Sequence, residues 1–340
     1  MPFGPFDLDL RPGASNAVNT CLAVRPGERV TIVVDEACRE IGASLADAVS
    51  AAGGTCTGYV IEDLAERPIT APPPAVAEGL STCDVGILAM HPRQGELTAR
   101  MAIVSIVEAR RIRYAHMVGV TRDIMRQGMR ADYTLVDRLS ERLRERMVTA
   151  ERLTVTSPHG TRLTATFDPS LAWIKTSGLI STRYWSNLPA GEVFTTPATV
   201  DGVFVCNATV GDYFGPKFGD LSLTPMRLRI ANGRLVEAAC DRADLQQEFW
   251  AYTHTDEHSD RVGELAFGTN LALTRLIGVL LQDEKFPGVH LAFGDPYGSQ
   301  TGAGWKSKTH VDVLTRDCDV WIDDEPVIEK GRYLLERLGL

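Results

Sequence analysis

Two periodicities of apolar and polar positions follow one another along this chain, and the texture changes near residue 150. In the first part, short β-branched runs alternate with segments of helical spacing. Residues 27–34 (GERVTIVV) read as a strand, and the Ala-rich residues 37–52 read as a helix stopped by Gly53-Gly54. Residues 57–61 and 84–90 read as further strands, separated by the breaker Ala71-Pro-Pro-Pro74 and a short helix. A helix over 97–109, a strand over 114–120 and an arginine-rich amphipathic stretch over 131–152 complete the series. Strand and helix in alternation predict a doubly wound α/β domain over 1–150, a parallel sheet with helices on both faces. No GxGxxG or Walker sequence occurs, so nothing marks this part as nucleotide-binding.

Beyond residue 150 the runs shorten and turns crowd in. Residues 153–157 and 163–167 flank a glycine-containing turn at 158–161 and read as a hairpin. Further β-rich runs lie at 192–196, 202–208, 226–230 and 235–239, the last two joined by Asn232-Gly233. A helix over 242–258 precedes strand-like runs at 262–267, 289–293, 310–314 and 320–322. This spacing predicts a mixed, mostly antiparallel, β-rich domain over 151–340 with few helices.

Composition narrows the function. The 340 residues exceed what one hydrophobic core usually fills, and 44% hydrophobic with 23% charged residues is the balance of a folded protein. With 35 Lys+Arg against 44 Asp+Glu the net charge is −9, which speaks against nucleic acid as the partner because phosphate binding needs a basic face. Cysteines at 21, 38, 56, 83, 206, 240 and 318 include no CxxC pair and read as reduced thiols, neither a disulfide framework nor a cysteine-type zinc site. The opening MPFGPFDLDLRPG lacks the basic start and apolar core of a signal peptide, and no apolar run approaches the length of a membrane span. The expectation is a cytoplasmic protein that engages no membrane and takes a small-molecule or peptide substrate.

The informative residues are ionisable groups inside apolar strands, where each costs several kcal/mol unless it is paired or bound to a metal. Glu264 lies in VGELAFG (262–268), and His290 lies in GVHLAFG (288–294). His310 and Asp312 alternate with Val311 and Val313, and Glu192 opens the apolar run EVFTT. Positions i and i+2 of a strand share a face, so His310 and Asp312 project together while the valines pack behind. Each of these residues alone reads more simply as a strand-end group facing water. Together, two imidazoles and three carboxylates make a nitrogen- and oxygen-rich set suited to divalent Zn, Co, Mn or Fe, and not to soft Cu(I).

The segments NLPAGEVFTTP (187–197), GELAFGTN (263–270), VHLAFG (289–294) and THVDV (309–313) occur in the order seen in thermophilic metallo-aminopeptidases. Residues 150–330 resemble that family, the aminopeptidase T and aminopeptidase S type, also described as leucyl aminopeptidase-like. The resemblance implies two divalent ions (Zn, Co or Mn) held by Glu192, Glu264, His290, His310 and Asp312, with one carboxylate bridging them. It implies hydrolysis of a C–N amide bond, in a peptide or a small amide, by metal-activated water. The family's catalytic tyrosine stands seven residues after the first ligand histidine, which falls on Tyr297 here (297 − 290 = 7) and makes it a hydrogen-bond donor to the oxyanion. A plain loop aromatic in DPYG is the other reading of Tyr297. Glu192, where it is not fully engaged as a ligand, would shuttle the proton to the leaving amine. Relatives form homodimers or larger assemblies, so the resemblance also implies a second copy of the chain as partner.

The chain also resembles the 2,5-dihydroxypyridine 5,6-dioxygenase branch of the same superfamily, in length and in its HxD strand. That likeness implies the alternative of one Fe(II) on two histidines and an aspartate, opening a hydroxylated pyridine ring. The branch carries histidine at the position of Glu264 and does not use those of Glu192 and His290, so the departures here run toward the dinuclear hydrolase.

Other signals compete. His254-Thr-Asp-Glu257-His258 spells H-x-x-E-H, a zinc pattern when both histidines share a helix face, but a solvated helix end is the stronger reading. His91, just past the apolar run 84–90, stands where the carboxyl end of a parallel strand opens, as an acid/base group or as a surface cap. Lys306 and Lys308 follow a glycine-rich loop and read as oxyanion contacts or exposed lysines, and His116 reads as a core histidine.

Overall fold

The strand-like runs before residue 150 fall into one parallel sheet of the computed structural model, which describes residues 3–340. The sheet order is Thr55–Val60, Arg29–Val34, Val85–Met90, Arg113–Val118 and Ser186–Asn187, with parallel pairing throughout. Val85–Met90 is buried along its whole length, which explains its unbroken apolar run. On one face Val33, Leu88 and Tyr114 bury against Val76, Leu80, Ile103 and Val107 from the helices Pro74–Thr82 and Leu97–Arg110. On the other, Val34 meets the helix Arg39–Ala51 so closely that a Cβ on Gly42 would stand 2.8 Å from it. Helices cover both faces, as the alternation predicts.

The chain divides into two compact units, and the division comes earlier than the change of texture near 150. The first unit runs to Thr134 and takes back Gly178–Ala190, while the second comprises Leu135–Ser177 and Gly191–Leu340. Most of the helix Tyr133–Val148 therefore belongs with the β-rich part. Its apolar stripe Leu139, Leu143 and Met147 buries in the same core as Leu153, Val193 and Leu265. The returning segment carries Ser186–Asn187, whose pairing with Ala115 and His116 is too short to leave a pattern in the sequence.

The second unit holds two antiparallel sheets around one core. An eight-stranded sheet includes the predicted hairpin, Arg152–Thr156 with Arg162–Thr166. A five-stranded sheet has the order His310–Leu314, Gly288–Gly294, Val262–Gly268, Glu192–Thr195 and Ile174–Thr176. The core joins Leu163, Phe204, Leu228 and Val320 from the first sheet to Leu265, Phe267, Leu291, Phe293, Val311 and Val313 from the second. No helix among the described residues is long and apolar enough to cross a membrane.

Candidate metal centre

The five-stranded sheet is two-sided in a literal sense. Val193, Leu265, Phe267, Leu291, Phe293, Val311 and Val313 point into the core, so the residues between them line the opposite face. Register then sets what stands beside what. Glu264 pairs with Ala292 and Ala292 pairs with Asp312; one row along, Ala266 pairs with His290; and Glu192 pairs with Gly268. Alanine and glycine between the ionisable residues leave room for the longer side chains to lean together. Gly294, opposite His310, takes φ +110°, and a Cβ there would lie 2.1 Å from the Thr309 carbonyl oxygen. Only glycine lets the histidine-bearing strand approach this closely.

All five candidate donors converge on this face. Glu192, Glu264 and His290 form one set of ligand atoms mutually within 4.8 Å, and Glu264, His310 and Asp312 form another, with Glu264 common to both. His290 Nε2 lies 3.1 Å from Glu192 Oε1, 3.5 Å from Glu264 Oε1 and 3.8 Å from Asp312 Oδ1. His310 Nε2 lies 3.7 Å from Asp312 Oδ1 and 3.9 Å from Glu264 Oε2. The other ring nitrogen of His310 is fixed by the Asp295 carbonyl at 2.8 Å, an outer contact that aims Nε2 into the cluster.

The donor set fits a divalent ion on its own terms. His290 Nε2 is buried and, despite its short distance to Glu192, makes no hydrogen bond of acceptable geometry. A buried polar atom without a partner is costly, and this one sits among carboxylate oxygens as a ligand nitrogen would. Burial alone would lower both histidines; Glu192 and Glu264 around His290, and Asp312 and Glu264 around His310, instead raise each to about 10. Burial also raises Glu264, opposed by His290 and reinforced by the neighbouring charge of Glu192. The carboxylates demand positive charge at the imidazoles, which a divalent cation supplies as well as protons do. Imidazole and carboxylate donors without thiolate suit Zn, Co, Mn or Fe.

Two residues that the sequence pattern did not single out complete the surroundings. Lys285, with its side chain 3% exposed, places its ammonium 2.8 Å from Glu192 Oε2 and 2.6 Å from Glu284 Oε1. Burial, which would raise Glu192, is outweighed by Lys285 and His290, and its carboxyl falls to about 2. Glu284 is pushed by burial up to about 8 against the pull of Lys285. In the sequence Asp283-Glu-Lys285 is an ordinary charged run before a strand, and its only signal is its place a few residues ahead of His290.

Tyr297 stands at the edge of this cluster. Its backbone is left-handed at φ +49°, its ring centroid lies 4.5 Å from that of His310, and 41% of the residue is exposed. Burial of the hydroxyl end and the charges of Glu264 and Asp312 raise its phenol above the usual range. His91 belongs to the first unit, where its Nε2 lies 2.8 Å from the Val120 carbonyl oxygen and its backbone N–H donates to Asp35. Those are the contacts of a strand-end cap. The H-x-x-E-H pattern does not share a helix face: the helix Ala243–Tyr252 ends before it, and exposed His254 is held by the Trp250 carbonyl and stacked on the Trp250 ring. Lys306 and Lys308 are exposed, and buried His116 meets the Tyr114 hydroxyl as a core histidine would.

Comparison with known proteins bears on this arrangement. A family model for thermophilic metalloproteases (M29) matches residues 124–332, more than half of the chain and all five clustered donors. No curated protein matches the chain. Among solved structures, wild-type AmpT from Thermus thermophilus superposes with a TM-score of 0.68 at 17% identity, over 96% of this chain and 99% of that one. The 2,5-dihydroxypyridine dioxygenase from Pseudomonas putida KT2440 superposes with a TM-score of 0.69 at 14% identity, over 97% of this chain and 98% of that one. Both likenesses establish a shared fold and do not separate the two chemistries. The family match does more, and the chain belongs to the M29 thermophilic metalloproteases.

Proposed function

We propose that this chain is a dinuclear metal-dependent hydrolase that cuts a C–N amide bond, in the manner of an aminopeptidase, in a peptide or a small amide. The observation that carries the reading is the pair of overlapping donor sets sharing Glu264, whose Oε1 faces His290 and whose Oε2 faces His310. Two divalent ions would be held by these sets, one by Glu192, His290 and Glu264 and the other by His310, Asp312 and Glu264. Divalent ions held there would supply Lewis acidity toward a scissile carbonyl and a water that ionises near neutral pH.

The chain's own residues line the edge of this centre. Tyr297, partly exposed beside His310, offers a phenol O–H to the oxygen that gains charge as the carbonyl is attacked. Glu192 turns Oε1 toward His290 and gives Oε2 to Lys285, so both its oxygens are engaged and neither is free to carry a proton to the departing amine. The ring of Phe194, 6.2 Å from that of Tyr297, adds an apolar wall beside the same edge. Free cysteines throughout the described residues fit a reducing, cytoplasmic setting, and self-association is part of the same proposal.

Elemental analysis of protein purified without chelator tests the reading, together with release of p-nitroaniline from aminoacyl anilides under Zn, Co or Mn. Two ions per chain with hydrolysis is the expected result. One iron per chain, with oxygen consumed on 2,5-dihydroxypyridine and no anilide cleavage, would replace the proposal with the ring-opening alternative.

A further inference from the structure

Glu192 differs from Glu264 in what its second oxygen does. Glu264 keeps both oxygens toward imidazoles, at 3.5 Å from His290 and 3.9 Å from His310. Glu192 turns Oε1 toward His290 at 3.1 Å, but its Oε2 is taken by the Lys285 ammonium at 2.8 Å. The backbone fixes this pairing from both ends. Glu192 pairs with Gly268, and a Cβ on Gly268 would lie 2.1 Å from the Phe286 carbonyl oxygen, so the segment carrying Lys285 presses directly on the partner of Glu192. The Lys285 carbonyl accepts from the Asn270 N–H at 3.0 Å, and the Lys285 N–H donates to the Gln282 carbonyl at 2.9 Å.

We propose that Lys285 is a positioning residue that makes Glu192 a one-oxygen donor: by holding Oε2, it presents Oε1 alone to the ion shared with His290. The proposal rests on the dinuclear reading above and adds a division of labour between two carboxylates that are chemically alike. Lys285 touches neither donor set except through Glu192, and outer contacts of this kind change metal affinity by about 10- to 100-fold. Removing the ammonium leaves Oε2 only the long contact from the Thr176 hydroxyl, at 3.4 Å, and lets the carboxylate turn away from His290, while Glu264, His310 and Asp312 keep their geometry.

The test titrates the full chain, stripped by chelator and dialysed, with Zn²⁺ in a calorimeter, for the wild type, Lys285→Met, Lys285→Arg, Glu192→Gln and the double variant Lys285→Met/Glu192→Gln. The wild type is expected to bind two ions. Lys285→Met weakens one of them by about 10- to 100-fold and leaves the other unchanged. Lys285→Arg, which keeps a cation on Oε2, restores much of the loss, and Lys285→Met has no further effect once residue 192 is glutamine. Two ions bound with unchanged affinities in Lys285→Met, or the same loss in the Glu192→Gln background, overturns the proposal. Where Lys285→Met does not fold, the double variant against Glu192→Gln alone decides: equal affinities uphold it and a further loss overturns it. A wild type that binds fewer than two ions overturns the dinuclear reading itself, and this proposal with it.

Discussion

Glu264 and Asp312 stand in register on either side of Ala292, on three adjacent antiparallel strands. The methyl group between them is what lets two carboxylates lean toward the same point. Replacing it should therefore separate metal binding from folding. Ala292→Leu is expected to abolish uptake of both ions while costing about 1–3 kcal/mol of stability, the usual penalty for overpacking. Metal content and a denaturant curve on the same preparation check this; a variant that keeps both ions would show that the carboxylates do not need the space.

Glu264 belongs to both donor sets, and Glu192 and His310 to one each. Glu264→Gln should lose both ions, His310→Ala should lose one, and Glu192→Gln, which keeps a carbonyl oxygen in place of the carboxylate, should weaken one and still bind it. Chelation should lower the melting temperature of the wild type, because an ion present at a hundred times its Kd stabilises the folded state by about 2.7 kcal/mol. Glu264→Gln should melt at the same temperature with or without chelator. A chelator-sensitive Glu264→Gln would remove this residue from the centre.

In the proposed mechanism Tyr297 acts on charge developed during reaction and not on the ions themselves. Tyr297→Phe should lower kcat by about 100-fold or more, the scale of losing one oxyanion donor, with metal content unchanged and KM little altered. Full activity in the phenylalanine variant would return Tyr297 to the role of a loop aromatic.

A prediction about acid stability comes from the first unit. Arg67 is buried against Glu96 at 2.6 Å and Asp35 at 2.9 Å, and its Nη2 also donates to the His91 carbonyl. Burial would raise Glu96, but the hydrogen bonds from Arg67 and from the Arg93 and Ile69 amides outweigh it and hold the carboxyl down at about 2, below its ordinary 4.5. A carboxyl depressed in the folded state stabilises it above the unfolded value, and that contribution fades as pH falls from about 4.5 toward 2. Glu96→Gln should cost about 3 kcal/mol at pH 7, on the scale of breaking a buried ion pair, and should flatten the fall of stability across that window. Unfolding curves at pH 7 and at pH 4 for both proteins check the sign; an equal loss of stability at the two pH values would place the acid sensitivity elsewhere.

Much of this site is legible in the sequence alone. The i and i+2 spacing of His310 and Asp312, and single ionisable residues inside VGELAFG and GVHLAFG, are local patterns, and a strand sends alternate side chains to opposite faces whatever its neighbours are. Helix ends were less legible: the run around His254 continues the helical composition, yet the helix stops at Tyr252 and its H-x-x-E-H pattern falls apart. The division between the units was also hidden, because the amphipathic stripe of Tyr133–Val148 says that one face is buried but not against what.

The sequence by itself determined the two classes of architecture, the strands that carry the donors and the face of each strand on which a donor lies, since these follow from local periodicity and the cost of burying a charge. Only the tertiary structure decided that Glu192, Glu264, His290, His310 and Asp312 meet, that Glu264 belongs to both sets and that Lys285 occupies one oxygen of Glu192. Those relations depend on strand order, on the register that puts Ala292 between two carboxylates and on the irregularity between Val262 and Glu264. They are long-range pairings, fixed when separate segments pack together, and no single segment contains the information that selects them.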